Sequence, residues 1–182
     1  MACDLTRGRK EPCKDVVGGL RAVYFTDFGD FGTVTQTDDE ITDMSGTFTA
    51  YKYELKGNSS FEQAITSSRE NGTTFFEQTL NLTLKKLSKE DNKELKLLAF
   101  GRPHVAVEDY NGNVFVMGLE HGAEVTGGSI STGAAMADLS GYTLTLAAQE
   151  LKPANFVDSP TAADPYAGMG SATVTVTEGT NS

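Results

Sequence analysis

Tryptophan is absent from the 182 residues, and histidine and cysteine occur only twice each. A ligand-binding β-domain usually presents an exposed aromatic platform. Without Trp, and with tyrosines mostly in alternating strands, the chain is a poor candidate for one. A zinc site needs four ligands at tight spacings. Cys3 and Cys13 stand far from His104 and His121, so two free thiols are expected instead. No run of 18 apolar residues occurs, and no membrane span is expected. The opening Met1-Ala2-Cys3-Asp4-Leu5-Thr6-Arg7 has no apolar core, so no secretory leader is expected either. The three Asn-x-Ser/Thr sequons, at Asn58, Asn71 and Asn81, then carry no meaning. Bases are scarce over long stretches. Residues 103–182 hold one, Lys152, against nine acids, and residues 27–51 hold none against six, within a net charge of −10. Gripping nucleic acid requires a basic patch, so that class is excluded.

Catalytic signatures are missing too. There is no Gly-x-Ser-x-Gly, no phosphate loop and no dinucleotide fingerprint. Asp27-Phe28-Gly29 matches a kinase tripeptide without the rest of a kinase. His104 reads as a surface or partly buried histidine beside a strand. Glu120-His121 reads as lying on a glycine-rich strand, without a nucleophile. The acids of 38–43 read as a solvated loop lacking calcium-loop spacing. Asp109, Asn111 and Asn113 are explained by a turn. No catalytic, cofactor-binding or metal-binding residue is assigned, and an enzyme is not expected.

What the chain does have is β-periodicity. Thr73 to Lys86 places Leu80, Leu82 and Leu84 on one side and Asn81, Thr83 and Lys85 on the other, the period of a half-buried strand. Residues 60–70 form a second extended run, and Asn71-Gly72 between the two predicts a hairpin with a type I′ turn. At about 3.3 Å per residue the second strand spans roughly 43 Å. A compact chain of this length has a radius of gyration of about 16 Å. The hairpin therefore reaches across the whole domain, and something must cover it.

Further strands are predicted at 21–26, 33–37, 47–56, 104–109, 113–119, 120–130 and 141–150, with Asn111-Gly112 as a second hairpin turn. Tyr51, Tyr53 and Leu55 share a side, as do Tyr142, Leu144 and Leu146. Residues 132–139 read as a loop or short helix. One helix is predicted over 88–100. Ser88 suits its N-cap, Glu90 and Asp91 its first turn and Gly101 its end, and Leu95, Leu98 and Ala99 form its packing side. The expected organisation is an N-terminal arm over 1–15, a β-sandwich domain over 16–152, and a Pro/Gly/Ala-rich extension over 153–182 with a candidate terminal strand at 172–177.

The order of a strand, the 88–100 helix and the hairpin Val107-Glu108-Asp109-Tyr110-Asn111-Gly112-Asn113-Val114-Phe115-Val116-Met117-Gly118-Leu119 carries a resemblance. It continues through Glu120-His121-Gly122-Ala123-Glu124-Val125-Thr126-Gly127-Gly128 to Gly141-Tyr142-Thr143-Leu144-Thr145-Leu146. Together with the opening 3–15, this resembles virion structural proteins of tailed bacteriophages and is most similar to tail tube proteins, over most of residues 1–157. The resemblance implies a mainly β fold, a sandwich or split barrel with long hairpins and one flanking helix. It implies self-assembly into hexameric rings that stack into a tube, with long strands joined into a closed inner barrel. Expected partners are further copies of the chain and a tail sheath or other tail proteins. Genomic DNA would pass through without specific binding, and no membrane is involved. The expected location is the virion tail, after synthesis in host cytoplasm. The arm, the 27–47 loop and the 153–182 extension are candidates for contacts between rings. Other readings are a capsid decoration or head–tail joining protein, or a monomeric ligand-binding β-domain.

Overall fold

The computed structural model describes residue 5 and residues 7–179. The fold is mainly β, with twelve strands in two sheets and one short helix among the described residues. In chain order they are β1 (Leu20–Thr26), β2 (Val34–Thr37), β3 (Glu40–Met44), β4 (Gly46–Glu54), β5 (Ser60–Ser68), β6 (Thr73–Lys85), α1 (Lys89–Phe100), β7 (His104–Asp109), β8 (Val114–Met117), β9 (Glu124–Ser131), β10 (Gly141–Glu150), β11 (Asn155–Val157) and β12 (Ala172–Glu178). The large sheet runs β12-β4-β1-β7-β8-β11-β3-β2, and the small one β5-β6-β10-β9.

The large sheet is buried on both faces. Val23, Phe25, Val105, Val107 and Met117 point toward the small sheet and meet its Leu80, Leu82 and Leu146. Alternate residues of the same strands, Ala22, Tyr24, Ala106, Val114 and Val116, point the other way into a second core. That second core also draws Phe48 and Val176 from one end of the sheet and Ile41 and Met44 from the other. Side chains from both ends can meet only if the sheet curls, so it forms an open barrel with the small sheet laid against its outside. The runs in β1 and β7 look continuously apolar for the same reason.

The long hairpin forms, with β5 paired to β6 from Ser60↔Asn81 to Ser68↔Thr73. Its turn differs from the expectation. Four residues, 69–72, close it, and only Gly72 takes a positive φ, of 63°. Asn111-Gly112 likewise uses only Gly112, at φ 84°. The two-residue turn with both φ values positive sits at Asp38 (51°) and Asp39 (63°), between the paired Thr37 and Glu40. The acids of 38–43 are therefore a hairpin tip and strand β3, and the 27–47 loop contains two strands of the large sheet.

The helix starts as expected, with Ser88 Oγ accepting from the Asp91 N–H at 3.0 Å. Its end is different. Gly101 is extended, at φ −89° and ψ 176°, and caps with its N–H on the Leu97 and Leu98 carbonyls. Leu95 is buried and Leu98 packs on the core, whereas Ala99 is exposed. Residues 132–139 form turns, with no helix.

The stretch after Pro153 was expected to trail from the domain. Instead β11 pairs with β8 on one side and β3 on the other. Tyr166 and Met169 are buried in the second core. The candidate terminal strand exists as β12, parallel to β4 from Ala172↔Gly46 to Glu178↔Lys52. The N-terminal arm lies outside both sheets, and every described residue before Leu20 is exposed.

Candidate assembly interface

The small sheet is antiparallel throughout. Its inner side carries Leu80, Leu82, Tyr142 and Leu146, buried on the core. Gln78, fully buried on the same side, accepts the Gly118 N–H at 3.0 Å, and Gln63 accepts the Ala154 N–H at 2.7 Å. These two amides tie the small sheet to the loops at the end of the large one. The opposite side has no cover among the described residues. By alternation it presents Thr79, Asn81 and Thr83 of β6, Thr143 and Thr145 of β10, and Ser129 and Ser131 of β9. Hydroxyls run across it, with Ser129 Oγ 2.8 Å from Thr143 Oγ1 and Thr145 Oγ1 donating to Asn81 Oδ1 at 2.9 Å. Its charges are Glu62, Glu77 and Glu124 against Lys85.

Both edge strands of this sheet, β5 and β9, lack a second strand partner among the described residues, with α1 contacting β9. Each carries an exposed isoleucine on its core-facing side, Ile65 at 69% and Ile130 at 64% exposure. Open edges with apolar side chains, here carrying one acid each (Glu62 on β5 and Glu124 on β9), are templates for pairing. The tip of the β5–β6 hairpin also extends past the core, where Ile65 opposite Phe76 has no covering layer.

The other sequence-flagged residues do structural work. His104 is 3% exposed, deeper than expected, and lies between the rings of Phe28 and Phe31 at centroid distances of 4.9 and 4.3 Å. Its Nδ1 donates to the Gly118 carbonyl at 2.7 Å, and its Nε2 accepts the Gly29 N–H at 3.3 Å. That pattern requires a neutral ring, and burial depresses its pKa despite the Gly118 carbonyl and the charges of Glu150 and Asp30. Asp109 accepts from the N–H groups and side-chain amides of both Asn111 and Asn113. Partial burial opposes its ionisation, but these hydrogen bonds outweigh it and hold the carboxyl below its ordinary range. Asn111 in turn exchanges two hydrogen bonds with the Val17 backbone, which anchors the base of the arm.

Glu120 and His121 lie in a turn after Gly118 (φ 67°), not on a strand. The partner of His121 is Glu150, whose Oε2 stands 2.9 Å from Nδ1. Glu150 Oε1 accepts the N–H groups of Glu120 and His121 at 3.1 and 2.9 Å. One ligand atom from each of the three residues lies within 4.8 Å of the others, which makes this the group with metal-ligand chemistry among the described residues. Both Glu150 oxygens are already committed, however, and the adjoining cavity is about 10 Å³, room for one water. The group closes a turn over a buried carboxylate. Cys13 is an exposed free thiol, and Cys3 lies outside the described residues.

The open sheet edges were not legible as such, since strand order is a long-range property. The signal within the sequence was the alternation of apolar with hydroxyl and amide residues in β6 and β10. No protein-family model matches the chain, and neither does any curated protein or solved structure.

Proposed function

We propose that the chain is the structural subunit of a bacteriophage tail tube, in which the small sheets of successive copies join edge to edge into a closed ring wall. The observation that carries this reading is the small sheet itself, four antiparallel strands with both edges open and one face polar. An even number of antiparallel strands leaves β5 and β9 running in opposite directions. Rotation about an axis near the strand direction then lays β9 of one copy antiparallel against β5 of the next. Such a heterologous contact closes into a ring and removes both open edges of the small sheet. Six copies would give a wall of 24 strands, more than the 16 to 18 that already enclose an aqueous channel in porins. The polar face, with three acids to one base, would line the conduit and repel a passing polyanion. The core and the large sheet would stand outside it. Stacked rings would make the tube, and sheath or other tail proteins would meet the outer surface.

Negative-stain microscopy of the purified protein across a concentration series tests this. Hollow rings or tubes of uniform width are expected. Ile65→Asp and Ile130→Asp should each fold normally, because both positions are exposed, yet fail to form rings. Monomers alone at every concentration, or rings from both variants, would end the reading.

A further inference from the structure

The N-terminal arm and a cleft near α1 occupy opposite ends of the same strand. The arm leaves β1 at Leu20, and Val17 is held by Asn111 at the β7–β8 turn. The cleft opens beyond the other end of β1, about 20 Å away at 3.3 Å per residue, where Phe25, Tyr51 and Tyr53 face Leu97 and Leu98 of α1. A donor at one end and an acceptor at the other is what a head-to-tail stack of identical subunits requires.

The chemistries match. Over residues 1–15 the arm holds four bases and three acids, a weakly basic segment in a chain of net charge −10. It also carries Leu5, Val16 and Val17, which are 99%, 73% and 60% exposed. The cleft mixes apolar and polar lining, with Phe28 and Tyr51 about two-fifths exposed. It is rimmed by Asp27 and Glu94 and contains one base, Arg102, already stacked over Phe28 at 4.0 Å. The C-terminal end of α1 lines it, with no basic residue in its last turn, so only Arg102, just beyond the helix, offsets the negative end of the helix dipole there. The field is felt inside. Burial first, then Glu94 and Asp91, push the Tyr53 hydroxyl up to about 12. At about 200 Å³ the cleft is smaller than an ordinary small-molecule pocket of ~300–1,000 Å³. It suits one or two side chains of an extended peptide. Residues 5–18 extended at about 3.3 Å each reach roughly 46 Å, enough to cross onto a neighbour.

We propose that the N-terminal arm of one copy docks in the cleft beneath the C-terminal end of α1 of a second copy, joining copies head to tail along the β1 direction. This rests on the reading of the chain as a stacking subunit and names its stacking contact.

The test uses the full-length chain carrying Leu97→Cys, at a half-exposed position on the cleft wall, with a short bismaleimide cross-linker and the native arm thiols Cys3 and Cys13. Interchain dimers and longer ladders are expected on a denaturing gel, at least tenfold above those from Met136→Cys in an exposed loop elsewhere. They should vanish when Cys3→Ser and Cys13→Ser are added. Only intrachain product, no product, or equal yields from the two positions would overturn the proposal. Microscopy of the same samples separates the two readings. Tubes without the cross-link overturn the arm contact and leave the tube standing. Cross-linked ladders without rings or tubes keep the contact and remove the tube.

Discussion

Two tyrosines show how a single hydroxyl decides stability from its partners. Tyr24 donates to Glu108 Oε2 at 2.9 Å, and Glu108, 3% exposed, also faces Arg21 at 3.3 Å. Burial, followed by the hydrogen bond to Glu108, pushes the Tyr24 hydroxyl far above its ordinary pKa. Tyr166 is equally deep, yet neither its hydroxyl nor that of Thr26 makes a hydrogen bond of ordinary geometry. They lie close enough for Thr26 to pull the Tyr166 pKa down slightly against the larger upward push of burial. Tyr24→Phe should cost about 1.5–3 kcal/mol, the loss of a bond to a buried charge, and Tyr166→Phe should change stability by less than about 0.5 kcal/mol. Urea midpoints of the two variants measure the contrast, and equal losses would refute it. His104 makes a third case. Its folded pKa lies below the ordinary 6.5, so the unfolded chain takes up the proton first as pH falls. The stability it contributes is complete above about pH 6.5 and is lost as pH drops through the depressed folded value, at about 1.4 kcal/mol per unit of depression. Protonation would also break the Gly29 N–H···Nε2 bond and release the loop that carries Phe28 and Phe31. Urea midpoints at pH 7.5 and 5 in a His121→Asn background, where His104 alone titrates as a histidine, should fall on acidification. A midpoint that rises or stays level would contradict this.

Among the elements, the tight turns hold the clearest lesson. Asp38 and Asp39 occupy left-handed backbone at φ 51° and 63°, a conformation that costs an ordinary residue roughly 1–2 kcal/mol and glycine nothing. Asp39→Gly should therefore raise unfolding stability by about 1 kcal/mol, less the small entropic cost of glycine in the unfolded chain. Chemical denaturation reads it directly, and a loss of stability would show that the aspartate side chain has a role of its own. The sequence placed Asn-Gly at two other turns and named their positions correctly, but not their geometry. Position is written locally, in turn residues between extended runs, whereas geometry follows from the register that the paired strands settle on. Helix α1 was legible because Ser88, its acidic first turn and Leu95 all lie within a dozen residues. Strand β11 was not. Asn155-Phe156-Val157 is too short for a period, and its partners Phe115 and Glu40 lie roughly 40 and 115 positions earlier. The Glu120-His121 turn was misread as strand for a related reason, because the residue that fixes it, Glu150, stands 29 positions from His121.

For the whole molecule, these long-range pairings decide which end of the chain is dispensable. The described residues among the first 15 are all exposed, and an anchor follows in the pair of hydrogen bonds at Val17. Residues 158–178, by contrast, are built into the barrel. Tyr166 and Met169 fill the second core, Val174 and Val176 pack against it, and β12 completes the hydrogen bonding of β4. Asp43 binds Ser171 through both oxygens, at 3.0 Å to the N–H and 2.6 Å to the hydroxyl, and Lys52 meets Glu178 at 2.6 Å. Removing a buried Tyr or Met side chain alone costs about 2–5 kcal/mol, and a typical domain has only about 5–15 kcal/mol to lose. Deletion of residues 158–182 should therefore abolish cooperative unfolding and expose apolar surface, seen as loss of near-ultraviolet circular dichroism and binding of a hydrophobic dye. Deletion of residues 1–15 should leave the melting temperature within about 2 °C of the intact chain, since surface changes away from packed features shift stability by about 0.5 kcal/mol or less. The same deletion should shorten or abolish stacked assemblies while rings survive. A folded 1–157 fragment would mean that the open barrel closes without β12. A melting temperature that falls sharply with the arm would mean that the arm belongs to its own domain rather than to a neighbour.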